Sequence, residues 1–401
     1  MQNLQEIKYR LKETFVNILF LTSWYPTKKN PAAAIFVHEH ALAFKEAGMQ
    51  LKVIQIVAEP SDKHFYKKEI NEFTKDGIDV TTIKILSRAH KLVNLFWPLY
   101  YKILKKYYFK NIHSDFKPDL IHANVIYPAG ILGYDLSKDL NIPFTLTEHW
   151  TNLNWVFGKP FFKNKAIKAY KSASKIFPVS KFLGDQINAV VGCNHKTKVI
   201  PNIVNPDMFH FKAKEPQETI QLLCVTNFWL NKKKMHKRPD VLIEAIKHLK
   251  KSDQKKIQLT FIGRGGKQET LRKEIENSDI STRIEFLGGQ PKEEIANRMQ
   301  KADYLLQPTE KETFGVVIAE AACTGLPCIV TELEVLKELV DENNGGFVLE
   351  NTPELWAEEI KKIIEGAYSF DRESIAEKYQ NRFSYSTVGA SYRSEIEAVL
   401  D

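Results

Sequence analysis

Residues 304–331 contain the pattern that most constrains the fold of this chain. The apolar run 304–307 predicts a buried strand that ends at Pro308. A turn at residues 312–315 then opens a mostly apolar helix, which ends at a Gly-Leu-Pro sequence, and a second apolar strand follows at 327–331. A strand, a helix and a strand in this order predict two parallel strands with the helix packed on their sheet.

Two carboxylates flank the start of that helix. Glu312 precedes it, and Glu320 follows eight residues later, two turns into it. The N-terminus of a helix has free N–H groups and a partial positive charge, so it suits a phosphate. Ionised carboxylates only accept hydrogen bonds, so they suit hydroxyl groups. A phosphate together with several hydroxyl groups describes a nucleotide sugar.

At these residues the chain resembles family 4 of the retaining glycosyltransferases, which have the two-domain GT-B fold. The motif of that family is Glu, seven residues and a second Glu, with Phe-Gly soon after the first, and here it is formed by Glu312, Phe314, Gly315 and Glu320. The neighbouring Gln-Pro-Thr and Ala-Ala-Cys-Thr-Gly-Leu-Pro sequences make the resemblance specific. It covers the C-terminal half of the chain well and the N-terminal half loosely.

The resemblance implies roles for these residues. Glu320 would bind the ribose hydroxyls, and Glu312 would bind the transferred sugar. The donor diphosphate would be held by Lys237 and by the main chain of Thr313, Phe314 and Gly315. The acceptor hydroxyl would attack on the face that the nucleotide leaves, so that the anomeric configuration is kept.

Further donor-binding positions follow from the same resemblance. Gly263 and Gly265 would lie beside the phosphates, and Gln290 lies in the segment that would contact the nucleotide base. Asn227 stands where the family has a phosphate-binding Arg, and the lysines at 232–234 are candidates to replace that charge.

The N-terminal half offers one candidate catalytic side chain and one departure. His149 follows a predicted strand at 144–147, where ligands of open α/β sheets gather, and the family has a histidine here that faces the donor sugar. The first loop of the family contains glycine. Here alanines occupy positions 32–34, and alanine adopts positive φ only at a cost.

The length of 401 residues predicts two domains. We expect an α/β protein of the GT-B class, with two Rossmann-like domains that face each other across a cleft. Residues 1–205 would bind the acceptor, residues 206–380 would bind the nucleotide sugar, and residues 381–401 would form a helix that packs back on the N-terminal domain.

Charge is distributed unevenly between the two halves. Residues 1–205 contain 29 Lys and Arg against 16 Asp and Glu, whereas residues 206–401 contain 28 against 33. A basic half predicts contact with an anionic surface or substrate. Nucleic acid is not predicted as a partner, because the sequence contains no nucleic-acid-binding motif.

Two basic segments of the N-terminal half are rich in aromatic residues. Residues 91–110 contain five Lys and seven aromatic residues, and residues 159–181 contain seven Lys. One interpretation is an interfacial helix on an anionic membrane. The other is a domain helix, broken at Pro98, with a buried aromatic face and solvated lysines.

The sequence predicts a cytoplasmic protein at the inner face of the cell membrane, with no metal and no cofactor. The four cysteines form no Cys-x-x-Cys pair, which favours free thiols in a reducing compartment. No apolar stretch is long enough to span a bilayer. No Asp-x-Asp motif occurs, so ligands for a metal-bound diphosphate are missing.

The predicted function is sugar transfer to a glycan or a lipid-linked acceptor in surface-polysaccharide biosynthesis, such as capsule, O-antigen or exopolysaccharide. Two alternatives remain open at this point. One is a sugar-nucleotide epimerase or phosphorylase of the same fold, and the other is a non-catalytic nucleotide-sugar-binding or assembly subunit. Binding of a nucleotide sugar without turnover would favour the latter.

Overall fold

The computed structural model describes residues 15–27, 34–150, 153–229 and 235–401. Contacts between Cα atoms divide the chain into two compact units. Unit 1 contains the described residues up to Val179, together with Gly184–Ile200 and Val388–Asp401. Unit 2 contains Ser180–Leu183 and Pro201–Thr387.

Unit 1 is built on a sheet of seven strands within the described residues, in the order β3-β4-β2-β1-β5-β6-β7. All neighbouring strands are parallel except β3 and β4, which form an antiparallel hairpin. The strands are β1 Asn17–Thr22, β2 Gln50–Pro60, β3 Lys67–Lys75, β4 Ile78–Ser87, β5 Leu120–Asn124, β6 Phe144–Glu148 and β7 Lys175–Pro178.

Helices follow most of these strands, as expected of parallel connections. They are α1 Ile35–Glu46, α2 His90–Val93, α3 Trp97–Asn111, α4 Ile131–Leu140, α5 Leu153–Phe157, α6 Pro160–Ser172 and α7 Lys181–Val191, with single turns at Ile126–Gly130 and Asn194–Lys196. Strands β5 and β6 are buried along their whole length, although each ends on a polar residue, Asn124 and Glu148.

The segment 91–110 forms two helices rather than one. Pro98 lies in the first turn of α3, where a missing N–H costs nothing, so the proline starts the helix instead of breaking it. Tyr100, Leu104 and Tyr108 form part of its buried face. Directly before α1, Ala34 has a φ of 52°. An alanine therefore does adopt the left-handed conformation here, despite its cost for a residue with a Cβ atom. The alanines at 32 and 33, the lysines at 232–234 and residues 1–14 lie outside the described residues.

Unit 2 is built on a parallel sheet of six strands within the described residues, in the order β10-β9-β8-β11-β12-β13. The strands are β8 Ile220–Val225, β9 Ile257–Ile262, β10 Arg283–Phe286, β11 Tyr304–Gln307, β12 Cys328–Thr331 and β13 Gly345–Val348. The helices are α8 Pro239–His248, α9 Lys251–Gln254, α10 Gln268–Glu276, α11 Lys292–Lys301, α12 Val316–Cys323, α13 Pro353–Ile364, α14 Arg372–Phe383 and α15 Tyr385–Leu400, with a single turn at Leu336–Glu338. The last helix continues from unit 2 into unit 1.

The strand–helix–strand unit predicted at 304–331 is formed by β11, α12 and β12. Leu305 and Cys328 are register partners in parallel strands, and α12 is almost entirely buried. On the sheet of unit 2, α8 and α13 enclose an apolar core around Trp356, which is 0% exposed. This packing holds the carboxyl ends of the strands, and the loops that follow them, in place.

Candidate active site

Gly315 opens helix α12 in a conformation that glycine favours. Its φ is 93°, and a Cβ atom there would lie 3.1 Å from a methyl carbon of Leu336. The carbonyl of Gly315 accepts hydrogen bonds from the N–H groups of Ile318 and Ala319, at 2.9 and 3.1 Å. The motif glycine therefore allows a sharp turn directly into the helix, which places Glu312 just before the helix N-terminus.

Glu312 forms an ion pair with Lys237, which lies two residues before the start of α8. Both side chains are mostly buried, with 13% and 22% exposed. The two segments also meet through the main chain, because the N–H of Glu310 donates to the carbonyl of His236 at 2.8 Å. The structure thus brings together two of the predicted catalytic residues, 75 positions apart in the chain.

Arg238 reinforces this junction. Its guanidinium group lies 2.8 Å from Glu310 and 2.9 Å from Asp240, and the hydrogen bonds to these carboxylates raise the pKa of the guanidinium. Its φ of 40° is uncommon for a residue with a side chain. Sequence reasoning did not single out Arg238, although its position beside Lys237 and before Pro239 was a usable signal.

Glu320 is also paired with a lysine, and this partner was missed in the sequence. Lys292, the first residue of α11, forms an ion pair with Glu320. The Nζ atom of Lys292 lies 5.5 Å from the ring centroid of Phe209. Glu320 is 4% exposed, and its second carboxylate oxygen is buried without a hydrogen-bond partner in the described part of the chain. One oxygen of this buried carboxylate therefore remains available to a ligand hydroxyl.

Gly263 and Gly265 lie where neighbouring loops approach closely. A Cβ atom on Gly263 would lie 1.8 Å from the carbonyl oxygen of Thr226, and one on Gly265 would lie 2.2 Å from the carbonyl carbon of Phe228. The N–H of Phe228 donates to the carbonyl of Arg264 at 2.9 Å. Loop packing alone therefore requires both glycines. Asn227 lies in the same loop and is exposed.

Thr313, Phe314 and Gln290 have partners within unit 2. The carbonyl of Thr313 accepts a hydrogen bond from the hydroxyl of Ser180 at 2.6 Å. The buried ring of Phe314 packs edge-on against Phe383, at 5.6 Å between centroids. The amide of Gln290 donates to the carbonyl of Leu287 in its own loop. These contacts hold the turns in which the residues lie.

His149 lies at the carboxyl end of β6 in unit 1, as predicted. Its Nε2 atom is 3.0 Å from Oδ1 of Asn124, which ends the neighbouring strand β5. The ring packs against Phe36 and His40 of α1, each with a centroid separation of 4.9 Å. Tyr392 of α15 holds His40 in turn through a 2.8 Å hydrogen bond to Nδ1. The histidine is therefore fixed from two strands and one helix.

Glu148, directly before His149, organises this corner and was missed in the sequence. It is 0% exposed and accepts four hydrogen bonds, at 2.8 to 3.0 Å, from the N–H groups of Ile126, His149 and Trp150 and from the hydroxyl of Tyr170. Burial raises the pKa of the Glu148 carboxyl, and these hydrogen bonds act in the opposite direction. The available signal was an acidic residue at the end of a predicted strand, directly before His149.

The described residues contain neither a metal-binding cluster nor a candidate membrane-spanning helix. They contain no group of three or more His, Cys, Asp or Glu side chains able to hold a metal ion. None of their helices is both long enough and apolar enough to cross a membrane.

Both units match family models of glycosyltransferases, and the two-unit fold is that of the GT-B class. The model of "Glycosyl transferases group 1" matches residues 209–383, and that of "Glycosyltransferase Family 4" matches residues 33–208. The chain belongs to this family of glycosyltransferases.

Similar proteins agree with this assignment. An uncharacterized glycosyltransferase of Methanocaldococcus jannaschii is 28% identical over 73% of this chain and 79% of its own length. The putative teichuronic acid biosynthesis glycosyltransferase TuaC of Bacillus subtilis is 23% identical over 86% of this chain and 89% of its own length.

Solved structures share the fold over nearly the whole chain. Sucrose-phosphate synthase from Thermosynechococcus elongatus has a TM-score of 0.72 and 18% identity, covering 96% of this chain and 100% of its own. Anabaena HepE in complex with UDP has a TM-score of 0.70 with the same identity and the same coverage.

Proposed function

We propose that this glycosyltransferase transfers a sugar from a nucleotide-sugar donor to a glycan or lipid-linked acceptor, with retention of the anomeric configuration. The main support is the pair of lysine–carboxylate contacts in unit 2, Lys237 with Glu312 and Lys292 with Glu320. Both lie beside the turn and helix of the motif, where a phosphate and hydroxyl groups would find complementary charge and hydrogen bonds.

In this proposal, Lys237 and the main chain at residues 313–315 stabilise the negative charge that develops on the leaving diphosphate. Glu320 accepts hydrogen bonds from the ribose through its unpartnered oxygen, and Glu312 orients the transferred sugar. A phosphate oxygen of the donor takes the proton of the acceptor hydroxyl. His149 contacts the donor sugar, as the resemblance implies.

The biological role proposed is surface-polysaccharide biosynthesis. TuaC is named for teichuronic acid biosynthesis, and a relative from Erwinia amylovora is named for amylovoran biosynthesis. HepE has been solved with UDP and with UDP-glucose, which supports a nucleotide sugar as the donor of this chain.

We also propose peripheral contact between unit 1 and an anionic membrane. Large apolar side chains are exposed on this unit, among them Phe65 at 80%, Leu92 at 69% and Phe161 at 60%. The sequence around them is rich in lysine. Exposed rings and lysines together suit the interface of an anionic bilayer.

The donor is tested with the full chain in EDTA. Thermal unfolding is followed with UDP, GDP, ADP and CMP and with their sugar conjugates, and transfer is followed with the conjugate that stabilises most. We expect one nucleoside diphosphate and one conjugate to raise the Tm selectively. Stabilisation without transfer or donor hydrolysis would support the non-catalytic alternative, and no stabilisation by any compound would contradict the proposed donor site.

A further inference from the structure

Aromatic rings in unit 1 form a continuous series that begins next to His149. We define the aromatic track as Trp24, Trp150, Trp155, Phe162, Phe161 and Trp97. Successive ring centroids are 5.9, 5.7, 5.3, 5.5 and 6.3 Å apart. Each separation is within the range of direct aromatic contact.

The exposure of the aromatic track differs from that of the aromatic core of the same unit. Tyr100 and Tyr108 are each 1% exposed, as expected of rings that only stabilise the fold. The four tryptophans of the track are only partly buried and Phe161 is 60% exposed, whereas Phe162, which joins Trp155 to Phe161, is 5% exposed. The track therefore presents a surface to a ligand.

The outer end of the track, at Trp97, is flanked by an exposed apolar side chain. Phe96, next to Trp97, is 56% exposed. A long apolar chain that follows the track would leave it at Phe96.

Two lysines lie over the rings of the track. The Nζ atom of Lys159 is 4.2 Å from the ring centroid of Trp155, and that of Lys165 is 4.5 Å from that of Trp97. Lys165 is paired with Asp135, whereas Lys159 has no ion pair within the described residues. No acidic residue occurs between Glu148 and Asp185. An anionic group on the track would therefore meet an uncompensated positive charge.

The inner end of the track lies beside a buried hydrogen-bond donor. Asn124 is 0% exposed and contacts His149 through Oδ1, while its Nδ2 atom has no acceptor in the described part of the chain. A buried donor without a partner costs free energy unless a ligand or water completes it. A hydroxyl or ring oxygen of a sugar would satisfy Nδ2.

We propose that the aromatic track binds the acceptor, and that this acceptor is an amphiphile with a sugar, a phosphate and a long apolar chain. The sugar lies at Asn124 and His149, the phosphate lies near Lys159, and the chain follows the rings toward Phe161. This inference rests on the proposed glycosyl transfer and adds the chemical class of the acceptor to it.

The test uses dodecyl phosphate as the probe, with the full chain, and follows binding by the change in tryptophan fluorescence. Phe161→Ser is expected to weaken binding about tenfold, because an exposed ring loses its contact with the alkyl chain. Phe109→Ser is the matched control, because Phe109 is an exposed ring of α3 outside the track, at 43%. We expect Lys159→Gln to weaken dodecyl phosphate several-fold and to leave dodecyl maltoside unchanged.

Three results would overturn this assignment. The first is an equal effect of Phe161→Ser and Phe109→Ser on the binding of dodecyl phosphate. The second is binding of butyl phosphate to the unsubstituted protein as tight as that of dodecyl phosphate. The third is a Phe161→Ser variant that no longer binds phosphatidylglycerol vesicles but keeps its affinity for dodecyl phosphate. The last result would mean that the rings contact only a bilayer. Stabilisation by nucleotides is measured on the same variants, and it should be unchanged, because no residue of the track belongs to unit 2. If dodecyl phosphate does not bind at the track while nucleotides still stabilise the protein, the acceptor proposal is wrong and the proposed donor site is unaffected.

Discussion

The ammonium group of Lys292 forms an ion pair with the carboxylate of Glu320, which lies 28 residues further along the chain. The carboxylate side chain is 5% exposed and the lysine side chain is 29% exposed. A buried carboxylate is stable in its ionised form only if a cation or several hydrogen bonds compensate it. Lys292 supplies that cation, and the second oxygen of Glu320 is buried without a hydrogen-bond partner among the described residues.

The first prediction concerns this pair. Lys292→Met should lower the free energy of unfolding by about 2 kcal/mol, because it leaves the buried carboxylate of Glu320 without its cation. The double variant Lys292→Met/Glu320→Gln should recover at least half of that loss, since no charge is then stranded. Urea unfolding of both variants measures this, with Lys301→Met, an exposed lysine of the same helix, as the control. Additive effects of the two substitutions would show that the pair does not couple.

The second prediction concerns Lys237. Lys237→Met should lower kcat/KM for sugar transfer about 100-fold, because the leaving diphosphate loses a cation that strengthens its binding in the transition state. Lys247→Met, a lysine of α8 paired with Glu244 on the surface, should change kcat/KM less than twofold. Steady-state kinetics with the donor identified by thermal unfolding provide the comparison. Equal kcat/KM values for the two variants would remove Lys237 from the proposed mechanism.

The third prediction separates a structural role of glycine from a role in phosphate binding. Gly263→Ala should lower the free energy of unfolding by at least about 2 kcal/mol, because the new Cβ would lie 1.8 Å from the carbonyl oxygen of Thr226 and the loop must move. Gly266→Ala, in the same loop, should change it by less than about 0.5 kcal/mol, because a Cβ there would meet no atom within 4 Å. Urea unfolding without nucleotide measures both. Similar stabilities would show that the loops can separate without cost.

The fourth prediction concerns His122, which is fully buried between the hydroxyls of Thr145 and Thr147 at 2.9 and 3.1 Å. Burial holds the pKa of this imidazole well below its ordinary value. Below pH 6.5 the unfolded chain therefore binds a proton that the folded chain does not bind, so stability falls as the pH is lowered. The slope from this residue is about 1.4 kcal/mol per pH unit.

His122→Phe isolates that slope. We expect the stability of the unsubstituted protein to fall about 1 kcal/mol further than that of the variant when the pH is lowered from 7 to 5.5. Urea unfolding at both pH values gives the difference. Parallel losses in the two proteins would mean that His122 is protonated in the folded state.

Much of the fold follows from local patterns in the sequence. The apolar runs predict the parallel strands at 304–307 and 327–331 because strands buried on both faces exclude polar residues, and the structure contains both. The hairpin of β3 and β4 was not predicted. Its outer strand is largely exposed and has no apolar alternation, so the pairing is set by the neighbouring strand rather than by its own sequence.

The candidate site was predicted in part. The positions of Glu312, Glu320, Lys237 and His149 followed from the motif and from the ends of strands, whereas their roles remain predictions. Lys292 and Glu148 were not singled out, because a lysine at the start of a helix and an acid at the end of a strand are too common in sequences to be specific. What distinguishes them is the group that each one meets.

The sequence by itself determined most of the strands and helices outside the β3–β4 hairpin, the family and the positions of the motif residues, because hydrophobic period, turn residues and residue spacing are local properties. Only the tertiary structure decided that Lys237 meets Glu312, that Lys292 meets Glu320, and that two glycines face the main chain of a neighbouring loop. These contacts depend on which strands are neighbours and in which register they pair. Both are set by packing between residues far apart in the chain.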